Sequence, residues 1–277
     1  MIRIPACVAM ALAPLLAGCW EVDDNKSTCN IDSVLPENDG TPPRDRLDLN
    51  HWQLTLPVDA DGGTAGQART VSASELLAGY ASEWFYGGDD GGVSFWAPVN
   101  GAKTPNSRYA RSELREVINP DDVSQNWNTT GIGEMNASLA VAQVPFANDR
   151  VTVGKIVGYG DATEVTALLH LVYRLHDDSC RASLYALLSD APTKGAPTRT
   201  LTLHDRRLRM NEEFTYKIRV ANNTLTLTSG TEVLETTIDP SWSATPVYFR
   251  AGAGLGAAGD SSVDGAHVTF YALSVTH

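Results

Sequence analysis

Positively charged residues are scarce in this sequence: 21 lysines and arginines stand against 33 aspartates and glutamates, and the net charge is −12. This deficit argues against a nucleic-acid-binding protein and against binding to acidic lipids through bulk charge. It does not exclude an anionic ligand. The local charges of a cleft govern binding there, while acidic surface elsewhere mainly aids solubility.

Hydrophobic runs are too short to span a membrane. The apolar stretch at residues 6–16 follows Arg3 and is interrupted by Pro14, which is typical of a secretory signal peptide. It ends in Leu16-Ala17-Gly18-Cys19, which resembles the bacterial lipobox, whose cysteine is lipidated. We therefore expect residues 1–19 to be a signal peptide, and Cys19 to anchor a secreted lipoprotein at the outer membrane or cell surface. An ordinary cleavage site that happens to precede a cysteine is the alternative.

Cysteine is also rare, with four in 277 residues. Cleavage would remove Cys7 and lipidation would occupy Cys19, which leaves Cys29 and Cys180. Two cysteines in an oxidising compartment are more often paired than free, so we predict a disulfide between them. Two unpaired thiols are the alternative.

Helical periodicity is scarce, and strand patterns dominate. One short helix is predicted at residues 72–80, with Ser72 as N-cap and Glu75 three residues on. Ala221-Asn222-Asn223 lies between two alternating runs and predicts a hairpin, because Asn tolerates positive φ. Runs of strand length recur along the chain, at residues 94–96, 134–144, 150–157, 166–175, 214–220, 224–228, 247–251 and 268–275.

These patterns divide the chain into a tether and one domain. Residues 20–45 are rich in Asp, Asn, Pro, Ser and Thr, and we expect a flexible tether there. Residues 46–277 fit a single all-β domain, a sandwich of two antiparallel sheets.

The segment Arg111-Ser112-Glu113-Leu114-Arg115-Glu116 carries the densest charge pattern. In a strand, Arg111, Glu113 and Arg115 lie on one face, because residues two apart share a side. Two guanidinium groups around a carboxylate suit the binding of sugar carboxylates, with Glu113 holding both arginines in place. A solvent-facing ladder of salt bridges is the alternative.

This segment is similar to the Arg-Ser/Thr-Glu-Leu-Arg signature of polysaccharide lyase family 7, the alginate lyases, and Asn106 belongs to its usual lead-in. Tyr248-Phe249-Arg250-Ala251-Gly252 resembles the family's Tyr-Phe-Lys-Ala-Gly strand, and residues 47–57 and 268–277 also match. The resemblance implies a β-jelly-roll whose concave sheet binds acidic polysaccharide and cleaves it by β-elimination at a uronate.

By this resemblance, Arg111 neutralises the sugar carboxylate, and Glu113 and Arg115 support it. Arg250, Tyr248 and Asn106 are expected to bind substrate.

Two positions depart from the family pattern. Gly154-Lys155-Ile156-Val157-Gly158 corresponds to the family's Gln-Ile-His strand, so Lys155 replaces the Gln and Val157 the His that serves as base. Gly254 stands where the family carries the Tyr that serves as acid. We interpret Lys155 as the substitute base and acid, because nearby positive charge and desolvation lower the pKa of a lysine. Alternatively, Lys155 stays charged and only binds carboxylate.

Weaker candidates flank this pattern. Tyr159 follows Lys155 at a same-face spacing and could act as acid, although Gly158 and Gly160 favour a turn there. His170 is a candidate for binding substrate in the cleft, but a lone His in an apolar strand is more often structural.

No cofactor or metal is expected. The Asp pairs at 89–90, 121–122 and 177–178 fit solvated turns better than a calcium site.

Two functions of different classes remain open from the sequence. One is a monomeric lyase acting on alginate or a related polyuronate such as polyglucuronate. The other is a lipid-anchored protein that has lost its proton-transfer residues and only binds acidic polysaccharide. The ionisable residue at position 155 favours the enzyme.

Overall fold

The computed structural model describes Cys29 and residues 35–161, 166–176 and 179–277. Its strands are β1 Trp52–Thr55, β2 Thr70–Val71, β3 Phe85–Gly87, β4 Val93–Pro98, β5 Arg111–Glu116, β6 Ile132–Gln143, β7 Arg150–Gly158, β8 Ala167–His176, β9 Arg181–Ser189, β10 Thr198–Arg209, β11 Phe214–Ala221, β12 Thr224–Ser229, β13 Glu232–Thr237, β14 Val247–Gly254 and β15 Gly265–Thr276. One short α-helix, α1, spans Ala73–Leu77, and Pro43–Asp45 and Pro240–Ala244 form single 3₁₀ turns.

The strands form two antiparallel sheets that pack face to face. An eight-stranded sheet has the order β10-β9-β8-β7-β14-β5-β1-β2, and a seven-stranded sheet has the order β13-β12-β11-β6-β15-β4-β3. Apolar side chains alternate inward, and the core between the sheets includes Phe95, which makes edge-to-face contacts with Phe85 and Phe270. This architecture confirms the all-β sandwich expected from the sequence.

The local predictions are confirmed with one difference in length. The Oγ of Ser72 accepts from the backbone N of Glu75 and the Glu75 carboxylate accepts from the N of Ser72, which is a capping box. The helix ends at Leu77 and does not reach residue 80, because Gly79 has φ +96°. Asn222 and Asn223 both have positive φ and close the hairpin between β11 and β12.

The predicted disulfide is present: Cys29 is bonded to Cys180, with their Cα atoms 5.4 Å apart. It joins the N-terminal segment to the turn between β8 and β9.

The described end of the expected tether packs on the domain. The Tyr86 hydroxyl donates to the Pro36 carbonyl at 2.8 Å, Asn38 forms a β-bridge with Gly88, and Pro43 is buried. Much of this contact involves backbone groups, which polar composition does not reveal. The chain therefore joins the domain before residue 46.

Other expectations fall outside the described residues. These are the signal peptide of residues 1–19, the lipidation of Cys19, and the Asp pair at 177–178. None of the helices in the described part of the chain has the length and apolar character of a membrane-spanning segment.

Candidate active site

A cleft of about 490 Å³ lies on the outer face of the eight-stranded sheet. Strands β7, β14 and β5 are neighbours in that sheet and form its floor. Glu113 lies buried beneath the cleft. All the other residues predicted from the sequence to act in catalysis or substrate binding line it: Asn106, Arg111, Arg115, Lys155, Tyr159, His170, Tyr248 and Arg250. Three segments separated widely in the sequence, at residues 106–115, 155–170 and 248–250, therefore meet at one site.

Strand register explains why these side chains converge. Arg250 on β14 lies directly between Lys155 on β7 and Arg115 on β5. Directly paired residues on neighbouring strands point to the same face, so the three cationic side chains project into the cleft together. Arg111 on β5 also lines the cleft. Four cationic side chains therefore surround the cleft, although the net charge of the protein is −12.

Glu113 is the centre of this cationic group. Its side chain is 1% exposed and forms ion pairs with Lys155 Nζ, with Arg250 Nη1 at 3.1 Å and with Arg111 Nη1 at 3.6 Å. Burial alone would raise the pKa of Glu113, but the charges of Lys155, Arg111 and Arg250 outweigh it and lower that pKa to about 2. Glu113 is therefore a carboxylate at neutral pH and fixes the three cations.

Lys155 is buried, at 7% exposed, at the bottom of the cleft. Burial lowers the pKa of Lys155 to about 8, with Glu113 opposing the shift and Arg111 and Arg250 adding to it. A lysine with this pKa is a free amine in roughly a tenth of the molecules at pH 7, and free amine is the form that can accept a proton.

Arg115 is placed differently from the prediction, which had Glu113 holding both Arg111 and Arg115. The Arg115 guanidinium donates to the backbone carbonyls of Glu116 and Val123 at 3.2 and 2.9 Å. It also lies over the ring of Tyr248, with 4.2 Å between its Cζ and the ring centroid. Arg250, from the neighbouring strand, pairs with the Glu113 carboxylate instead.

The flanking candidates also line the cleft. Tyr159 lies one residue beyond β7, and its ring centroid is 6.0 Å from the Cζ of Arg115. His170 on β8 is paired directly with Lys155 and is half-buried. Burial and the Lys155 charge lower the pKa of His170 to about 4, so its imidazole is neutral at pH 7.

Several lining residues were not singled out from the sequence. Ser107 accepts a hydrogen bond from the Arg111 guanidinium, and Gln53 on β1 is paired with Arg115. Ser107 adjoins Asn106 and Gln53 lies within the matching segment at residues 47–57, but a lone Ser or Gln carries no spacing signal of its own. Thr104, Val123, Thr166 and Ala167 complete this set.

Three residues of the described Asp pairs, Asp89, Asp90 and Asp122, accept hydrogen bonds from nearby groups. Asp89 accepts from the backbone N of Glu37, and Asp90 from the N of Gly92 and the hydroxyl of Tyr271. Asp122 accepts from Ser124 in a turn. The described residues contain no group of three or more His, Cys, Asp or Glu side chains arranged to hold a metal ion.

Comparisons with known proteins agree with this geometry. Residues 47–277 match the family model described as alginate lyase. The chain is 33% identical to the alginate lyase from Pseudomonas aeruginosa, whose crystal structure it matches with a TM-score of 0.73 over 83% of this chain and 99% of that one. It is 28% identical to an alginate lyase of Klebsiella pneumoniae over 88% of this chain and 94% of the relative.

A third similar structure is alginate lyase A1-II′, a member of polysaccharide lyase family 7. It is 28% identical, with a TM-score of 0.74, over 85% of this chain and 98% of that one. A variant of A1-II′ has also been crystallised in complex with a substrate, written GGMG. The fold, the cleft and these matches agree: the chain belongs to the alginate lyase family and is a polysaccharide lyase.

Proposed function

We propose that the cleft cleaves alginate or a related polyuronate by β-elimination, with Arg111 neutralising the sugar carboxylate and Lys155 removing the proton at C5. The single observation that carries this proposal is the buried Lys155, held by Glu113 at the base of a cationic cleft, with a pKa of about 8. An enzyme of this class needs a base near neutral pH, and Val157 cannot supply one.

Carboxylate binding comes first in this mechanism. Arg111 and Arg250 line the cleft, and a guanidinium fork binds a carboxylate in two parallel hydrogen bonds. Neutralising the C6 carboxylate lowers the energy of the negative charge that develops beside it when H5 is removed. Glu113 lies beneath both arginines and keeps them oriented, which reduces the reorganisation required when substrate arrives.

Proton transfer follows. The free amine of Lys155 takes H5, and the electrons of the C5–H bond form the C4–C5 double bond. The C4–O4 bond then breaks with its electron pair on O4, which needs a proton. Lys155 can return that proton itself if H5 and O4 leave from the same face of the sugar; otherwise a second group must donate it.

The surface beyond the cleft supports a polymeric substrate. Lys155, His170, Leu187 and Thr200 are paired in register across β7, β8, β9 and β10, so they lie on one face of the sheet. A second groove of about 710 Å³ lies on this face, and Arg150, Arg174 and Tyr185 are among its lining residues. A chain of uronates could therefore remain in contact with the protein on both sides of the scissile bond.

The proposed setting is the cell surface. The lipobox-like sequence at Cys19 supports a secreted lipoprotein held at the outer membrane or cell surface by its lipid alone. We propose a monomer that acts there on extracellular polysaccharide.

The test is to incubate the protein with alginate, with its separated mannuronate and guluronate blocks and with polyglucuronate. Unsaturated ends are measured by the ultraviolet absorbance of the new double bond. At least one polymer should yield them, and Lys155→Ala should abolish most of the signal. Binding without unsaturated ends on any of these uronans would reject the proposed function in favour of a polysaccharide-binding protein.

A further inference from the structure

We propose that Tyr248 donates the proton to the departing O4, so that Lys155 and Tyr248 divide the two proton transfers between them. This inference rests on the proposed function, because it assigns the second step of that reaction. It differs from the roles implied by the family resemblance, in which position 248 only binds substrate and the acid stands at the position of Gly254.

Tyr248 lies on the same face of the sheet as Lys155. On β14, Tyr248 is paired with Val157 and Arg250 is paired with Lys155, so Tyr248 and Lys155 are diagonal neighbours on one face. Diagonal neighbours in an antiparallel pair are about 7–8 Å apart at the backbone, within reach of aromatic and long side chains. Both line the cleft. The phenol of Tyr248 therefore lies directly beside Val157, on the neighbouring strand.

Two guanidinium groups lie over the ring of Tyr248. The ring centroid of Tyr248 lies 4.2 Å from the Cζ of Arg115 and 5.5 Å from the Cζ of Arg250. Positive charge at these distances stabilises the phenolate that remains after a proton is donated. Burial opposes ionisation, but Arg250 and Arg115 outweigh it and hold the pKa of Tyr248 below its ordinary value.

Four other tyrosines in the described part of the chain show the opposite effect of burial. Burial raises the pKa values of Tyr86, Tyr173, Tyr216 and Tyr271, and a raised pKa makes a phenol a weaker acid. Tyr248 is buried like Tyr173 and Tyr216, and it differs from them because two guanidinium groups lie over its ring. A phenol made more acidic is suited to protonate a leaving alkoxide.

Lys155 gains the H5 proton and becomes an ammonium, while the C5–H electrons become the second bond between C4 and C5. The C4–O4 bond breaks, O4 keeps its electron pair and takes the proton of the Tyr248 hydroxyl. The new hydroxyl ends one fragment, and the tyrosinate and the ammonium exchange a proton through solvent to restore the site.

Tyr248→Phe tests the hydroxyl alone, because it removes that group and retains the ring over which Arg115 lies. With the uronan polymer, kcat should fall by about 10²–10⁴-fold, the range usual for a general acid. With a short uronate whose leaving group at O4 is an acidic phenol, the loss should be less than about 10-fold, because that group departs without protonation. Tyr271→Phe, which removes a hydroxyl from the other sheet, is the matched control and should retain activity.

Equal losses on both substrates would overturn the proposal, since a residue that only positions substrate affects both alike, and an unchanged kcat on the polymer would also overturn it. If Tyr248→Phe fails to fold, 3,5-difluorotyrosine at position 248 keeps the hydroxyl but lowers its pKa. The alkaline limb of the pH profile of kcat should then move to lower pH, and an unmoved limb would reject the assignment. Failure of the proposed function itself is distinguishable, because the unmodified protein would produce no unsaturated ends.

Discussion

The Lys155 ammonium occupies the space into which a side chain at Gly254 would project. A Cβ added to Gly254 would lie 2.7 Å from Lys155 Nζ and 2.9 Å from Glu113 Oε1. The absence of a side chain at position 254 and the presence of a lysine at position 155 are therefore two parts of one arrangement.

Gly254→Ala should accordingly displace Lys155 and lower kcat by about 10²-fold, the loss expected when a catalytic group moves by about 1 Å. Gly131→Ala is the control, because the nearest atom to its added Cβ lies at 3.5 Å. In a Lys155→Ala background, Gly254→Ala should lower the melting temperature less than it does alone, since the two positions are in contact. Equal effects in the two backgrounds would contradict the contact.

Lys155→Ala should lower kcat by about 10²–10⁴-fold if Lys155 transfers the proton. Substrate affinity should change less, because Arg111, Arg115 and Arg250 remain in the cleft. Lys155→Arg should not restore turnover, because a guanidinium stays protonated at ordinary pH. Steady-state kinetics of the wild type, Lys155→Ala and Lys155→Arg measure these changes in kcat and KM. Near-normal turnover by Lys155→Arg would move the base to His170 or Tyr159.

The pH dependence of kcat follows from Lys155. Its pKa is lowered to about 8, so the ammonium predominates below that pH and the free amine above it. Activity should therefore rise with pH through about 8, and roughly a tenth of the sites should hold the free amine at pH 7. A profile that falls with pH across this interval would show that the charged form of Lys155 is required.

Glu113→Gln should strongly destabilise the fold, because it leaves Lys155, Arg111 and Arg250 without their shared carboxylate. Breaking a buried ion pair by removing one partner costs about 3–5 kcal/mol in the free energy of unfolding. The control is Glu134→Gln, whose partners Lys217 and Arg219 are exposed, and it should cost no more than about 1 kcal/mol. Denaturant titrations of both variants measure the difference, and similar costs would contradict the central role of Glu113.

The lowered pKa of Glu113 also predicts that the free energy of unfolding falls at acidic pH. The pKa of Glu113 is lowered from 4.5 to about 2, so its contribution is complete above 4.5 and is lost as pH falls towards 2. Wild-type stability should decline across that interval more steeply than the stability of Glu113→Gln, as followed by denaturant midpoints at each pH.

Removing the disulfide should affect stability and leave the cleft intact. A double Cys29→Ser, Cys180→Ser variant should lose about 2–5 kcal/mol in the free energy of unfolding, with kcat unchanged well below its melting temperature. Both positions lie outside the cleft lining. Two thiols that alkylate in the oxidised wild-type protein would show that the bridge does not form in solution.

The fold was predictable because local signals are strong along this chain. Alternation identified β11 and β12, paired asparagines identified their turn, and Ser72 with Glu75 identified the helix start. The charge cluster on β5 was visible for the same reason, since strand alternation places Arg111, Glu113 and Arg115 on one face.

The sequence did not reveal which strands are neighbours, their register, or the side-chain contacts that depend on both. The pairing of Arg250 with both Lys155 and Arg115 depends on which strands become neighbours, and no local pattern states it. For that reason the partners of Glu113 were predicted in part only, and the cationic surroundings of Tyr248 were not foreseen. The docking of residues 36–43 was also missed, because it depends on backbone contacts.

The pairing of β5 with β14 has a consequence for how the enzyme becomes active. Arg111, Glu113 and Arg115 are synthesised long before Tyr248 and Arg250, and the site exists only after these distant strands are hydrogen-bonded. Contacts between residues far apart in sequence form slowly, whereas a local hairpin such as β11–β12 closes early. During refolding, the far-ultraviolet circular dichroism signal should therefore recover ahead of lyase activity, and the return of activity marks completion of the eight-stranded sheet.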